Sequence, residues 1–141
     1  MERGGTSANV EAVRRAYAAF DTGDLDGALA SFDPGVEWHQ AQGLPHGGVY
    51  HGLAAVRAAV FDPIAREWWS TFTAVPETLI DAGDDVVALG RYRGTARATG
   101  RTLDVPFAHV WTFVEGRAVR FRQYVDTQGW NDALADGLPD V

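Results

Sequence analysis

The spacing of apolar residues changes near residue 70, and that change limits the folds open to this chain more than any other feature. Before it, apolar residues recur every three or four positions; after it they alternate. Ser7 or Asn9 can cap a first helix that sets Val10, Val13, Tyr17 and Phe20 on one stripe. Thr22-Gly23-Asp24 ends it, and Asp24 can cap a shorter helix carrying Leu25, Leu29 and Phe32. Asp33-Pro34-Gly35 reads as a turn, 36–41 as a strand and 43–52 as a glycine-rich loop. A third helix starts near Leu53 with Val56, Val60 and Ile64 along one side, and Pro63 opens a fresh turn reaching Trp68 or Trp69. Four strands are expected at 72–80, 86–96, 103–114 and 119–125, parted by Asp81-Ala82-Gly83-Asp84, Thr99-Gly100 and Glu115-Gly116. Helices followed by a meander make an α+β chain, in which a long antiparallel or mixed sheet must curve around three N-terminal helices on its concave side and leave a cavity between them. One domain over 1–141 is expected, with loose ends at 1–6 and 138–141.

Composition removes several chemistries. Cysteine and lysine are both absent, so thiol catalysis, cysteine metal sites, disulfides and Schiff bases are excluded. A formal charge of −7 is the wrong sign for a phosphate backbone, so no nucleic-acid partner is expected. Neither a bilayer-spanning apolar run nor a secretory leader is visible, which makes a cytoplasmic location the default. His39, His46 and His51 match no zinc spacing, and no metal or other cofactor is expected. Ser7, Ser31 and Ser70 have no nearby base, which leaves a serine nucleophile unsupported.

Alternation assigns the inner face. A three-residue turn at Glu115-Gly116-Arg117 would pair Val114 with Ala118, Trp111 with Phe121 and His109 with Gln123. A two-residue Thr99-Gly100 turn would pair Tyr92 with Phe107 and Gly90 with His109, leaving Arg91 and Arg93 outside with Arg120 and Arg122. Trp38 and Gln40 share the inner side of the first strand, opposite Glu37 and His39. The expected cavity is aromatic, with Gln40, Tyr92, His109 and Gln123 as its polar points. The outer arginines, beside acidic neighbours, suit ion pairs at a subunit contact.

These segments carry a family resemblance. Ala18-Ala19-Phe20-Asp21-Thr22-Gly23-Asp24, Val36-Glu37-Trp38, Tyr50-His51-Gly52, Gly90-Arg91-Tyr92-Arg93-Gly94 and Phe121-Arg122-Gln123-Tyr124-Val125-Asp126 stand in an order that resembles the nuclear transport factor 2-like superfamily, nearest its SnoaL-like and ketosteroid-isomerase-like members. The resemblance implies a conical α+β fold and often a homodimer through the outer sheet face. It also places Trp38 where the steroid isomerases carry their aspartate base, and His109 where they carry an acidic oxyanion-hole partner. Their first-helix tyrosine falls near Ala16, one position from Tyr17. The aspartate–arginine–aspartate set of limonene-type epoxide hydrolases matches Tyr92, Gly90 and Gln123. Of the histidine and aspartate of SnoaL-like cyclases, His109 keeps the first and Gln123 replaces the second. Every familiar cavity carboxylate is thus replaced, and an epoxide hydrolase is the less favoured activity.

The first expectation is therefore a cofactor-independent isomerase or cyclase acting by proton transfer on a small apolar molecule of polyketide, terpenoid or steroid type. His109 would be its acid/base, titrating near neutrality, with Tyr92 and Gln123 holding a ligand oxygen. Gln123 could also set the imidazole tautomer. Trp38, Gln40, Tyr17, Tyr50, Trp111 and Phe121 would contact the substrate. The alternatives are a ligand-binding module without turnover, in which His109 is simply satisfied by Gln123, and a structural dimer whose hollow is filled by its own side chains.

Overall fold

The computed structural model describes residues 7–135, so the loose ends expected at 1–6 and 138–141 lie outside the described residues. Helix α1 is Ala8–Asp21, and the Ser7 hydroxyl caps it by accepting from the Val10 amide at 3.1 Å. Helix α2 is Leu25–Leu29, capped by the Asp24 carboxylate on the Gly27 amide. Strand β1 is Phe32–Gln40 and strand β2 is Gly48–His51. Helix α3 is Leu53–Val56, and two π-helical turns follow at Arg57–Phe61 and Ile64–Trp68, on either side of Pro63. The meander is β3 (Trp69–Ala82), β4 (Asp85–Ala96), β5 (Thr102–Val114) and β6 (Arg117–Val125), and helix α4 is Thr127–Leu134. One six-stranded sheet runs β2-β1-β6-β5-β4-β3; β1 and β6 are parallel and the other pairs antiparallel. No helix among the described residues is long and apolar enough to cross a membrane.

Four local expectations need correction. Phe32 opens β1 instead of closing α2, and Asp33-Pro34-Gly35 is an irregularity inside that strand, with pairing to β6 broken between Phe32 and Glu37. Proline has no N–H to give a ladder, and the Asp33 carboxylate takes the Gly35 amide instead. The glycine-rich loop hides β2, which pairs Trp38 with Tyr50; two positive-φ glycines, Gly48 and Gly52, bracket it. The β5–β6 connection is a two-residue turn in which Glu115 has φ 51° and Gly116 φ 84°. A bulge between Thr112 and Phe113 absorbs the difference, so Val114 faces Arg117, while Trp111–Phe121 and His109–Gln123 pair as expected.

The fourth correction is a slip of two residues between β4 and β5. Tyr92 lies opposite Val105 and Ala88 opposite His109. The connection is wider than two residues because the Ala96 amide bonds the Arg101 carbonyl and the Gly100 amide bonds the Ala96 carbonyl. Two residues is one full side-chain period, so every inner residue stays inside.

Helix α4 was not expected. Asp126 caps it on the Gly129 amide, and Asn131 donates to the Gly43 carbonyl at 2.8 Å. Thr99 donates to the Ala133 carbonyl and Arg101 to the Asp132 carbonyl, both at 2.8 Å. Trp130 is thereby carried inside, where it joins Val13, Val36, Val56, Val60, Trp69 and Val86 among the fully buried side chains. The core lies between the helices and the inner sheet face.

Candidate functional site

Within that core is a narrow cavity of about 60 Å³, whose walls include Phe20, Phe32, Trp38, Phe61, Phe72, Trp111 and Phe121. Its polar lining is Tyr17, Gln40, Tyr92, His109 and Gln123, and among the described residues it holds no carboxylate. Eight of the nine expected site residues line it. The exception is Tyr50, which is half-buried and donates its hydroxyl to the His46 carbonyl at 2.8 Å.

His109 is 3% exposed and sits between two phenols. Tyr17 Oη lies 2.6 Å from Nδ1, and Tyr92 Oη lies 2.6 Å from Nε2. Helix α1 supplies Tyr17 because its stripe faces the sheet; β4 and β5 supply Tyr92 and His109 on one face by alternation. Phe107 stacks on the imidazole with ring centroids 4.0 Å apart. Trp111 donates its indole N–H to Tyr17 Oη at 3.1 Å. Gln123 donates its amide N–H to Tyr92 Oη at 2.8 Å, while its carbonyl accepts from the Ala41 amide at 2.9 Å. Gln123 therefore acts on the histidine only through Tyr92, and the expected direct satisfaction of His109 by Gln123 is replaced by two phenols.

Counting protons fixes what this network can do. The two contacts flanking His109 can use a Tyr17 O–H, a Tyr92 O–H and the single N–H of a neutral imidazole. Three protons serve two contacts, so one phenol O–H is always surplus. With the proton on Nε2, Tyr17 donates to Nδ1, Tyr92 accepts from Nε2, and the Tyr92 O–H is free. With the proton on Nδ1 the roles reverse and the Tyr17 O–H is free. In each form the other phenol keeps one uncommitted lone pair.

Burial shapes the acidities. It pulls His109 down to about 3, which overturns the near-neutral titration expected from an ordinary imidazole. Burial also raises Tyr17 well above the usual phenol range, opposed by the Trp111 hydrogen bond, and raises Tyr92 against the opposing Gln123 bond. At neutral pH all three groups are uncharged.

A second polar chain borders the cavity. Trp38 donates to Gln40 Oε1 at 2.8 Å, which turns the Gln40 amide nitrogen toward His46 Nε2 at 2.9 Å. His46 must accept there, so its own proton sits on Nδ1, a buried atom with no hydrogen-bond partner among the described residues. Burial pulls His46 down to about 4. Trp68 meets its ring edge to face at 4.7 Å, and Trp130 lies at 5.7 Å. Sequence reasoning left His46 in a loop and missed Trp130; the Asp126 cap ahead of Gly129 was the one available sign of the last helix. His46 is buried apart from His39 and His51, which flank Glu37 on the outer face, and among the described residues no three metal-ligating side chains gather.

Outside, Arg91 and Arg93 pair with Asp104, and Arg120 with Glu37, so the acids come from the chain itself. The expected arginine cluster is two pairs separated by β5.

The SnoaL-like domain family model matches residues 13–121. An uncharacterized protein of Mycobacterium tuberculosis is 30% identical over 117 residues, which cover 83% of this chain and 88% of that one. An NTF2-like protein from Burkholderia thailandensis has a similar structure, with a TM-score of 0.85 and 34% identity over 92% of this chain and 99% of that chain. TerC, solved with polyporic acid, is similar with a TM-score of 0.80 and 29% identity, covering 91% of this chain and 98% of that chain.

Proposed function

The chain belongs to the SnoaL-like domain family, and from that premise we propose that it is a cofactor-independent isomerase or cyclase that moves a proton within a small apolar molecule. The observation that carries this reading is the imidazole held at both nitrogens by phenols that line an apolar cavity. A donor fixed in such a site is worth roughly 3 kcal/mol to a developing oxyanion, and it needs no reorganisation when charge appears. The surplus phenol proton is that donor. Gln123 orients Tyr92, and Trp38, Trp111 and Phe121 keep water out. The co-crystal of TerC with polyporic acid supports a small organic ligand in this fold.

The cavity is too narrow for a steroid as it stands. Phe20, Phe61, Ile64 and Phe72 separate it from a hollow of about 200 Å³ toward α1 and the π-helical turns. Parting of these side chains is the route for a larger substrate, and π-helical turns are frequent where a helix serves function. The reading includes a cytoplasmic homodimer. Val49, Leu89 and Tyr124 are exposed apolar side chains on the outer sheet face, and sedimentation tests for the second copy.

The test is to identify small molecules that co-purify with the protein and follow their deuterium incorporation in D2O. Wild type should label the ligand at a constant rate between about pH 5 and 9, since none of the three network groups changes charge there. His109→Ala should abolish labelling. Retained binding without labelling by wild type would instead support a binding module, a reading favoured by the absence of a carboxylate from the described lining.

A further inference from the structure

The geometry points to a two-ended proton relay in which Tyr17 and Tyr92 exchange donor and acceptor roles through His109, acting on 1,3-dicarbonyl compounds. This rests on the reading of the cavity as a proton-transfer site and deepens it by assigning Tyr17 as a second catalytic terminus.

The two tautomeric forms of the network place the free O–H at opposite ends. Passing between them transfers a proton across the imidazole without creating a charge, provided the ligand supplies one proton and takes one. A dicarbonyl ligand does both. In the keto-to-enol direction, Tyr92 gives its proton to a carbonyl oxygen and Nε2–H replaces it. The Tyr17 proton moves to Nδ1, and the Tyr17 lone pair takes the C–H proton between the two carbonyls. Tyr92 O–H, Nε2–H, Tyr17 O–H and one C–H bond break; an enol O–H, a new Tyr92 O–H, Nδ1–H and a new Tyr17 O–H form. Electrons balance inside the ligand as the C–H pair becomes the enol double bond.

The substrate class follows from the acceptor available. The lining offers no carboxylate among the described residues, so the strongest base in reach is a phenol oxygen backed by a neutral imidazole. A simple ketone C–H is far too weak an acid for that partner. A C–H flanked by two carbonyls is about as acidic as an ordinary phenol, which puts it within reach of a phenol oxygen whose own proton passes to the imidazole. Trp111 and Gln123 each donate to one terminal oxygen, which supports whichever phenol is momentarily electron-rich.

Acetylacetone is the probe, because its enol is read directly by ultraviolet absorbance and it stays neutral at pH 7. Wild type should accelerate keto–enol exchange in proportion to protein concentration, and Tyr17→Phe and Tyr92→Phe should each lower this by roughly 10²-fold. The second readout is the ring nitrogen NMR of His109 without ligand, with thermal unfolding run on each variant to verify folding. In Tyr17→Phe the Tyr92 O–H is left to donate to Nε2 and should hold the proton on Nδ1, and in Tyr92→Phe the Tyr17 O–H donates to Nδ1 and should hold it on Nε2, with wild type between them. The same tautomer in all three proteins would overturn the relay. Full activity in Tyr17→Phe would overturn its assignment while leaving proton transfer at Tyr92 intact. Opposite tautomers with no acceleration by wild type would overturn the dicarbonyl class alone.

Discussion

Two histidines are buried in this protein, and they differ in what their partners can do. His109 on β5 meets a phenol at each nitrogen, and a phenol can give or take a proton. His46, between β1 and β2, meets the amide of Gln40, whose oxygen is already committed to Trp38, so that contact can only donate. Burial lowers both, to about 3 and about 4, and keeps both neutral. The comparison separates two controls: burial sets the charge, while the chemistry of the neighbours decides whether the proton can change ends.

His109→Ala should give the largest effect. It opens a cavity and strips both phenols of their partner, so a loss of about 3 to 4 kcal/mol is expected in urea unfolding, along with all activity. His46→Ala should cost about half as much and leave His109 tautomers unchanged by NMR. Equal losses and a disturbed His109 would erase the contrast between the two sites.

Acid should expose both histidines together. Each has a folded pKa below its unfolded value of about 6.5, so the unfolded chain binds more protons and stability falls as pH drops. The sensitivity is about 1 kcal/mol per pH unit for each histidine, beginning near pH 6.5, ending near 4 for His46 and near 3 for His109. Unfolding curves between about pH 6 and 4 should lose roughly half their slope in His46→Gln. An unchanged slope would show that His46 is not held neutral by the fold.

Gln123→Leu should cost about 1 to 2 kcal/mol, since it removes partners from the Ala41 amide and Tyr92 at once. It should also weight the tautomers of His109, whereas Gln40→Leu should leave them alone. Arg91→Ala on the outer face should produce the smallest change, one that vanishes at high salt, because its pairing with Asp104 is solvated.

The inner sheet face was legible because alternation holds over 36–40, 102–114 and 121–125, clear of the irregularity in β1 and of the bulge between β5 and β6. Trp38, Gln40, His109, Trp111, Phe121 and Gln123 all lie where that pattern puts them. Tyr92 survived an error of register because the error was one full period. Tyr17 could be read as a helix residue facing the core, but its bond to a residue 92 positions away could not, since periodicity carries no information about tertiary partners. His46 was illegible for a different reason: a glycine-rich loop has no period from which to infer a face. The acidity of His109 was misjudged because composition supplies the ordinary imidazole value, and only packing reveals the missing water.

Helix α4 has a consequence for how the chain comes into being. Synthesis proceeds toward the C-terminus, so β1 waits for β6, its parallel neighbour, and Trp130 arrives later still. Until that indole docks, Trp69, Phe72 and Tyr92 lack the ring that packs against them. The last long-range packing of the inner face is therefore contributed by the end of the chain. A stop codon placed just before Thr127 would yield a product that keeps Tyr17, Tyr92 and His109 but has lost the indole packed against Tyr92.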